Sequence, residues 1–171
     1  CALCTMEGTR PLIAEIQALV SATTFPTPRR TCDGIDYNRL CLILALLEKR
    51  LGLRFSANDV YINVIGGLRL VEPAADLSLA LALISSLTDR PVPDDLIALG
   101  ELGLSGECRA VSGLEYRVKE AERLGFSRVL LPARNLNKKT PKCGIELIPV
   151  RSLFDAVRYL SPKEKGGNRP G

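Results

Sequence analysis

Residues 72–87, EPAADLSLALALISSL, decide the fold of this chain. Apolar side chains occur on nearly all sides of this segment, which is typical of a helix buried within a domain. Pro73 is suited to the first turn of a helix, and the Asp76 carboxylate in that turn complements the positive end of the helix dipole. We therefore predict a buried helix that runs from Pro73 to about Leu87 and ends before Asp89-Arg90-Pro91, since proline cannot continue it.

Upstream of this helix, the sequence predicts further strands and one more helix. Residues 59–65, DVYINVI, alternate and are rich in β-branched side chains, so they predict a strand that ends at Gly66-Gly67. The other upstream elements are a first strand over 11–21, a return strand over 29–35 after a proline-containing hairpin loop, and a helix over 37–52 between Asp36 as its cap and Gly52.

Downstream of the buried helix, short strands again alternate with amphipathic helices. The predicted elements are strands over 96–99 and 107–111, a helix over 114–124, strands over 128–131 and 145–150, and a last helix from Ser152 to about 160. This order predicts an α/β fold with mixed sheets and packed helices.

Composition suits one globular domain rather than a membrane or fibrous protein. The chain has 171 residues, of which 46% are hydrophobic and 25% are charged, and its net charge is +4. No apolar run approaches the roughly 20 residues needed to span a bilayer, so we expect no membrane partner. The first residue is Cys1 rather than Met, so we interpret the chain as a fragment of a longer protein.

The residue types present exclude several kinds of site. Histidine is absent, which removes Ser-His-Asp triads and every metal site based on His. The pair Cys1-x-x-Cys4 has metal-ligand spacing but no second pair, so we predict no metal site and a reduced, cytoplasmic protein. No G-x-x-x-x-G-K-[ST] motif is present, so we expect no ATP hydrolysis and no cofactor in this chain.

Four carboxylates lie near glycine turns, where a pair of them could do acid–base chemistry. They are Glu72, Asp76, Glu101 and Glu107. Helix capping and ion pairing with Arg69 or Arg109 is the interpretation we favour.

Four segments together resemble a known family. They are residues 6–11 (MEGTRP) with 15–20 (EIQALV); 34–39 (GIDYNR) with 47–50 (LEKR); 64–68 (VIGGL) with 72–77 (EPAADL); and 100–107 (GELGLSGE). In this order and spacing, the chain is similar to the C-terminal Lon-protease-like domain of bacterial RadA/Sms recombination ATPases. The resemblance extends from near residue 6 to about residue 160.

The resemblance implies the fold of the Lon proteolytic domain, also called ribosomal protein S5 domain 2-like. It divides the chain into a remnant or linker over 1–5, the Lon-protease-like domain over 6–160, and a disordered tail over 161–171. It also implies a zinc finger and a RecA-like ATPase upstream, together with a hexameric ring that acts in recombination and DNA repair.

The positions that match the catalytic pair of Lon lack its side chains. The serine position falls at Ala74, or at Ala75 if the helix start shifts by one, and the lysine position falls at Glu115. Alanine has no nucleophile, and a carboxylate cannot replace a neutral amine base. Ser78 and Lys119 lie one turn later on the same helices and could form a displaced pair, although a buried Ser78 and a solvated Lys119 is the simpler interpretation.

These observations predict a non-catalytic domain, a pseudo-protease, that forms a homohexameric ring and contacts DNA. The predicted DNA contacts are Arg30, Arg39, Arg69 and Arg109, since each lies at the end of an element where its guanidinium can reach a phosphate. Few aromatics and no Trp disfavour base stacking. The alternatives are an active Lon-like serine peptidase and a peptide-binding pseudo-protease that does not bind DNA.

Overall fold

The computed structural model describes residues 1–136 and 140–162, which form a mixed α/β domain. The strands are β1 Ala2–Glu7, β2 Arg10–Ala22, β3 Arg30–Asp33, β4 Asn58–Val64, β5 Leu96–Ala98, β6 Glu101–Leu102, β7 Cys108–Arg109, β8 Arg128–Pro132 and β9 Glu146–Val150. The α-helices are α1 Tyr37–Leu51, α2 Asp76–Thr88, α3 Leu114–Arg123 and α4 Leu153–Val157.

The described residues contain one large sheet and one small ribbon. The strand order of the large sheet is β3-β4-β2-β1-β5-β8-β9, and β6 pairs with β7 separately. Strand β2 is antiparallel to both β1 and β4, whereas the other neighbours in the large sheet are parallel. The α/β class with a mixed sheet is therefore confirmed.

Strand β1 occupies an interior position in the large sheet. It lies between β2 and β5, and its residues Leu3 and Cys4 are fully buried. Residues 2–5 are therefore part of the domain, and the prediction that residues 1–5 are a linker is wrong for them. The strand was missed because both of its faces are covered, so it has no alternation of apolar and polar side chains.

Strand β3 is the second departure from the sequence prediction. It runs parallel to β4, with Thr31 opposite Tyr61, and β4 separates it from β2. The segment over 29–35 is therefore not the return strand of a hairpin with β2. An alternating pattern predicts that a segment is extended, but it does not specify the neighbouring strand.

Helix α2 is buried in the core, as predicted. A 3-10 turn over Pro73–Ala75 leads into it, and every residue from Asp76 to Ile84 is buried. It ends at Asp89, which adopts the left-handed conformation with φ 53°. At the other end of the chain, α4 ends at Val157 rather than near residue 160.

Two further sequence predictions concern the C-terminal tail and the absence of a membrane-spanning segment. Of the predicted disordered tail over 161–171, all but residues 161 and 162 lie outside the described residues. Within the described residues, no helix combines the length and the apolar character needed to cross a membrane.

Gly34 brings three segments together beside the start of α2. Its φ is +85°, and a Cβ atom there would lie 2.6 Å from Cβ of Val64 and 2.7 Å from the carbonyl oxygen of Leu68. The carbonyl of Gly34 accepts a hydrogen bond of 2.8 Å from the backbone N–H of Leu70. This close approach holds the segment after β4 against the end of β3, just before α1 begins.

Candidate functional site

An ion pair between a half-buried arginine and a buried carboxylate joins the starts of α1 and α2. The Arg39 Nε donates to Asp76 Oδ1 at 2.7 Å, and its Nη2 donates to Oδ2, which also accepts from the Leu102 N–H at 3.0 Å. Burial raises the pKa of the Asp76 carboxyl, and the bonds from Arg39 and Leu102 only partly oppose this effect. The pair ties α1, α2 and the β6–β7 ribbon together.

A second buried ion pair holds the residue that precedes the 3-10 turn. Arg117 on α3 is 1% exposed, and its Nη1 and Nη2 donate to the two carboxylate oxygens of Glu72 at 2.6 and 2.7 Å. Its remaining bonds go to the carbonyls of Cys4 and Ser112. Glu72 also accepts from the Met6 N–H at 3.0 Å. The backbone from β1, the start of α3 and the approach to α2 are therefore locked in one arrangement.

The positions matched to the catalytic pair of Lon lie in these same elements. Ala74 and Ala75 are buried in the 3-10 turn, and Glu115 is in the first turn of α3. The Glu115 side chain is exposed and forms an ion pair of 2.7 Å with Lys119.

The displaced pair of Ser78 and Lys119 does not form. Ser78 is fully buried, and its hydroxyl donates to the Ala98 carbonyl at 2.6 Å. Lys119 is exposed, and its hydrogen bond to Glu115 raises the pKa of its amine, which favours the protonated form. A lysine that acts as a base must be neutral, so this arrangement does not support peptidase chemistry.

Arg39 and Arg69 lie together on the wall of a cavity of about 430 Å³. The cavity lies between the start of α1 and the segment that leads into α2, and its apolar wall includes Leu70, Pro73 and Leu79. Arg69 is exposed, and none of the ion pairs among the described residues involves it. Two of the four predicted arginines are therefore brought to one place.

Arg109 lies on the β6–β7 ribbon, which contacts the start of α2 through Leu102 and Asp76. It forms ion pairs with Glu107 at 3.0 Å and with Glu101 at 3.8 Å, as the sequence indicated for these carboxylates. Its strand, β7, pairs with β6, whose Leu102 binds Asp76. The Arg109 side chain is about half exposed, so it is open to solvent.

Arg30 is the predicted residue that does not join the others. It opens β3 beside Val60, at the opposite end of the strand from Gly34. Its guanidinium donates to the carbonyls of Arg29, Phe55 and Asn58, so its donors stabilise the loop that precedes β4. Its role is structural in this arrangement.

Sequence reasoning missed two further features. Arg117 falls on the apolar face of α3 together with Leu114, Val118 and Ala121, and that helical position was a signal of a buried charge. The second feature is the loop before β3, where the Arg29 guanidinium lies 3.8 Å from the centre of the exposed Phe25 ring. An arginine four residues after an aromatic in a proline-rich loop was the available signal.

Comparison with curated proteins finds strong similarity to DNA repair proteins named RadA. The identity is 48% over 165 residues with the protein of Synechocystis, 50% over 153 residues with that of Bacillus subtilis, and 47% over 151 residues with that of Escherichia coli. These matches include 96%, 90% and 88% of this chain, but 32%, 33% and 33% of the relatives. The chain therefore spans about a third of the length of these proteins.

A family model described as subunit ChlI of Mg-chelatase matches residues 43–135. The matched region extends from within α1 through the short 3-10 turn after β8. It contains the Arg117–Glu72 pair and Asp76, whereas Arg39 lies before it. This match overturns the prediction of a non-enzymatic pseudo-protease, because the family is named for a subunit of an enzyme. Since the matched region is more than half of its length, the chain belongs to the family of subunit ChlI of Mg-chelatase.

Proposed function

We propose that this domain contacts the DNA backbone and forms rings as part of a RadA-type, ATPase-type enzyme of DNA repair and recombination. The observation that carries the proposal is the identity of 47–50% to proteins named DNA repair protein RadA over about nine-tenths of the chain. We propose the Lon proteolytic-domain type of fold and a cytoplasmic location for the same reason.

The arginines beside the start of α2 support the proposed contact with DNA. Arg69 is free of ion pairs among the described residues, and Arg109 is about half exposed on the neighbouring ribbon. Arginine suits phosphate because its planar group donates two parallel hydrogen bonds. Such contacts hold DNA without reading its sequence.

Binding of fluorescent oligonucleotides, followed by anisotropy, tests this function. We expect measurable binding that weakens as salt is added, and a further loss in the double variant Arg69→Ala/Arg109→Ala. Arg54→Ala is the matched control, because Arg54 is an exposed arginine in the loop before β4, at the end of that strand remote from the cavity. Binding that is absent in the wild type, or equal in the double variant and the control, would contradict the proposal.

Light scattering of the purified domain over a range of protein concentrations tests ring formation. Closed rings are the usual result of head-to-tail contacts between identical subunits. We expect species heavier than a monomer, with six subunits as the end point, and greater assembly in the presence of DNA. A strict monomer at high concentration, with and without DNA, would contradict ring formation by this region.

A further inference from the structure

The cavity that contains Arg39 and Arg69 differs in its charge from a larger cavity among the described residues. The other cavity, of about 580 Å³, is bordered by Glu15 and has no lysine or arginine in its wall. The cavity near α2 has two guanidinium groups in its wall, and its accessible apolar surface includes Val71 and Pro73. It therefore suits a ligand that is part anion and part apolar.

The carboxylates of this cavity already have partners. Asp36 accepts the Arg39 backbone N–H at 3.0 Å as the cap of α1, and Glu72 is held by Arg117. Asp76 accepts hydrogen bonds from Nε and Nη2 of Arg39. The Nη1 group of Arg39 is therefore outside that ion pair. The donors left for a ligand are this Nη1 group and the guanidinium of Arg69.

We propose that this cavity binds one nucleotide of single-stranded DNA, with its phosphate at Arg69 and Arg39 and its base against the exposed side chains of Val71 and Pro73. The proposal rests on the DNA contact proposed above and gives it a site. A phosphodiester carries one negative charge. The Arg69 guanidinium, which has no ion-pair partner among the described residues, can balance this charge, and Nη1 of Arg39 can donate a further hydrogen bond. The volume of about 430 Å³ falls within the range of about 300–1,000 Å³ that is usual for small-molecule sites.

The apolar side chains of this cavity predict a preference for unpaired DNA. Bases in a duplex are stacked and paired, so they enter a protein cavity only after they are extruded from the helix. Bases of a single strand are free to turn outward and pack against side chains. We therefore expect the cavity to add affinity for single strands that it does not add for duplexes.

The test compares an oligothymidylate with a duplex of the same length, using the wild type, Arg69→Ala, Arg69→Lys and the control Arg54→Ala. We expect Arg69→Ala to weaken single-strand binding by about tenfold, because one charged hydrogen-bonded contact is lost. Duplex binding should weaken by about twofold or less. Arg69→Lys keeps the charge without the planar fork and should fall between the wild type and Arg69→Ala. Equal losses for single strand and duplex would overturn the nucleotide site and leave the proposed DNA contact intact.

A photocrosslink gives a direct second measurement. An oligothymidylate that contains 4-thiothymidine should form crosslinks to the segment over 69–79, and an abasic oligonucleotide of equal length should lose the single-strand advantage. Crosslinks confined to other segments, or an abasic strand that binds as well as the normal one, would overturn the proposal. No binding of any DNA by the wild type would overturn both this site and the proposed function.

Discussion

Arg117 is a buried charge whose stability depends on its partners. Its guanidinium is 1% exposed, yet Glu72 and two backbone carbonyls accept its hydrogen bonds. Removing one member of a buried pair leaves the other charge buried without a partner. Replacing both members with apolar groups leaves no unpaired charge. The interaction between Arg117 and Glu72 is therefore best measured with single and double variants together.

We expect Arg117→Met to lower the free energy of unfolding by about 3–5 kcal/mol, as is found when a buried ion pair is broken. The double variant Arg117→Met/Glu72→Met should lose less than the sum of its two single variants, because no unpaired charge remains. Urea denaturation of the four proteins measures these differences. Additive losses would mean that the two side chains do not stabilise each other.

The same pair makes part of the stability depend on pH. Burial alone would raise the pKa of Glu72, but the hydrogen bonds and charge of Arg117 outweigh burial and lower it. A carboxyl whose pKa is lower in the folded protein stabilises the fold above its unfolded pKa, and this contribution is lost as pH falls through the folded value.

We therefore expect the gap in unfolding free energy between the wild type and Glu72→Gln to be largest near neutral pH. The gap should shrink below the ordinary glutamate pKa of about 4.3, because the wild-type carboxylate becomes protonated. Urea denaturation at several pH values between 7 and 3 measures it. A gap that stays constant or widens with acid would show that ionisation of Glu72 does not stabilise the fold.

At the scale of elements, the backbone at Gly34 decides whether β3 can meet the segment that leads to α2. Any side chain there meets both a positive φ and atoms of Val64 and Leu68 closer than 3.0 Å. Gly8, in the turn between β1 and β2, has a φ of +61° but nothing within 4 Å of its Cβ position. Substitution of Gly8 therefore tests the strain of a positive φ alone, whereas substitution of Gly34 tests that strain together with steric crowding.

We expect Gly8→Ala to cost about 1–2 kcal/mol, the strain of a left-handed conformation. Gly34→Ala should cost about 1–3 kcal/mol more, because the added methyl also overpacks the junction. Thermal and urea unfolding of both variants provide the comparison. Equal losses for the two variants would mean that Val64 and Leu68 move away from the added methyl group at no cost in free energy.

The sequence predicted an element well where the local pattern of apolar and polar side chains is enough to define it. Helix α2 was recognised because it is apolar on nearly all sides, and β4 because it alternates. Strand β1 was missed, and β3 was given the wrong partner, because burial on two faces and strand order arise from tertiary packing.

The candidate site was predictable to a similar extent. Position at the end of an element suggested Arg39 and Arg69, which share a cavity wall, and their contact with DNA stays a prediction. It could not show that the donors of Arg30 are used by carbonyls, or that Arg117 holds Glu72, because those partners are distant in the sequence. Long-range pairing is the information that local patterns lack.

The salt dependence of DNA binding reports how many arginines of the domain contact phosphates. Each lost phosphate contact lowers the magnitude of the log–log salt slope by about 0.7–0.9. We expect Arg69→Ala and Arg109→Ala each to lower it by about this amount, and Arg54→Ala to leave it unchanged. Anisotropy titrations over a salt series measure the slope. Unchanged slopes in both variants would mean that neither arginine contacts a phosphate.

The interior position of β1 also has a consequence for the order in which the domain folds. Its antiparallel partner β2 follows immediately after the turn at Gly8, but its parallel partner β5 begins only at Leu96. During synthesis, one edge of β1 therefore stays open until most of the chain has been made. An open apolar edge pairs readily with other chains, so nascent domains that stall before β5 should be those that aggregate.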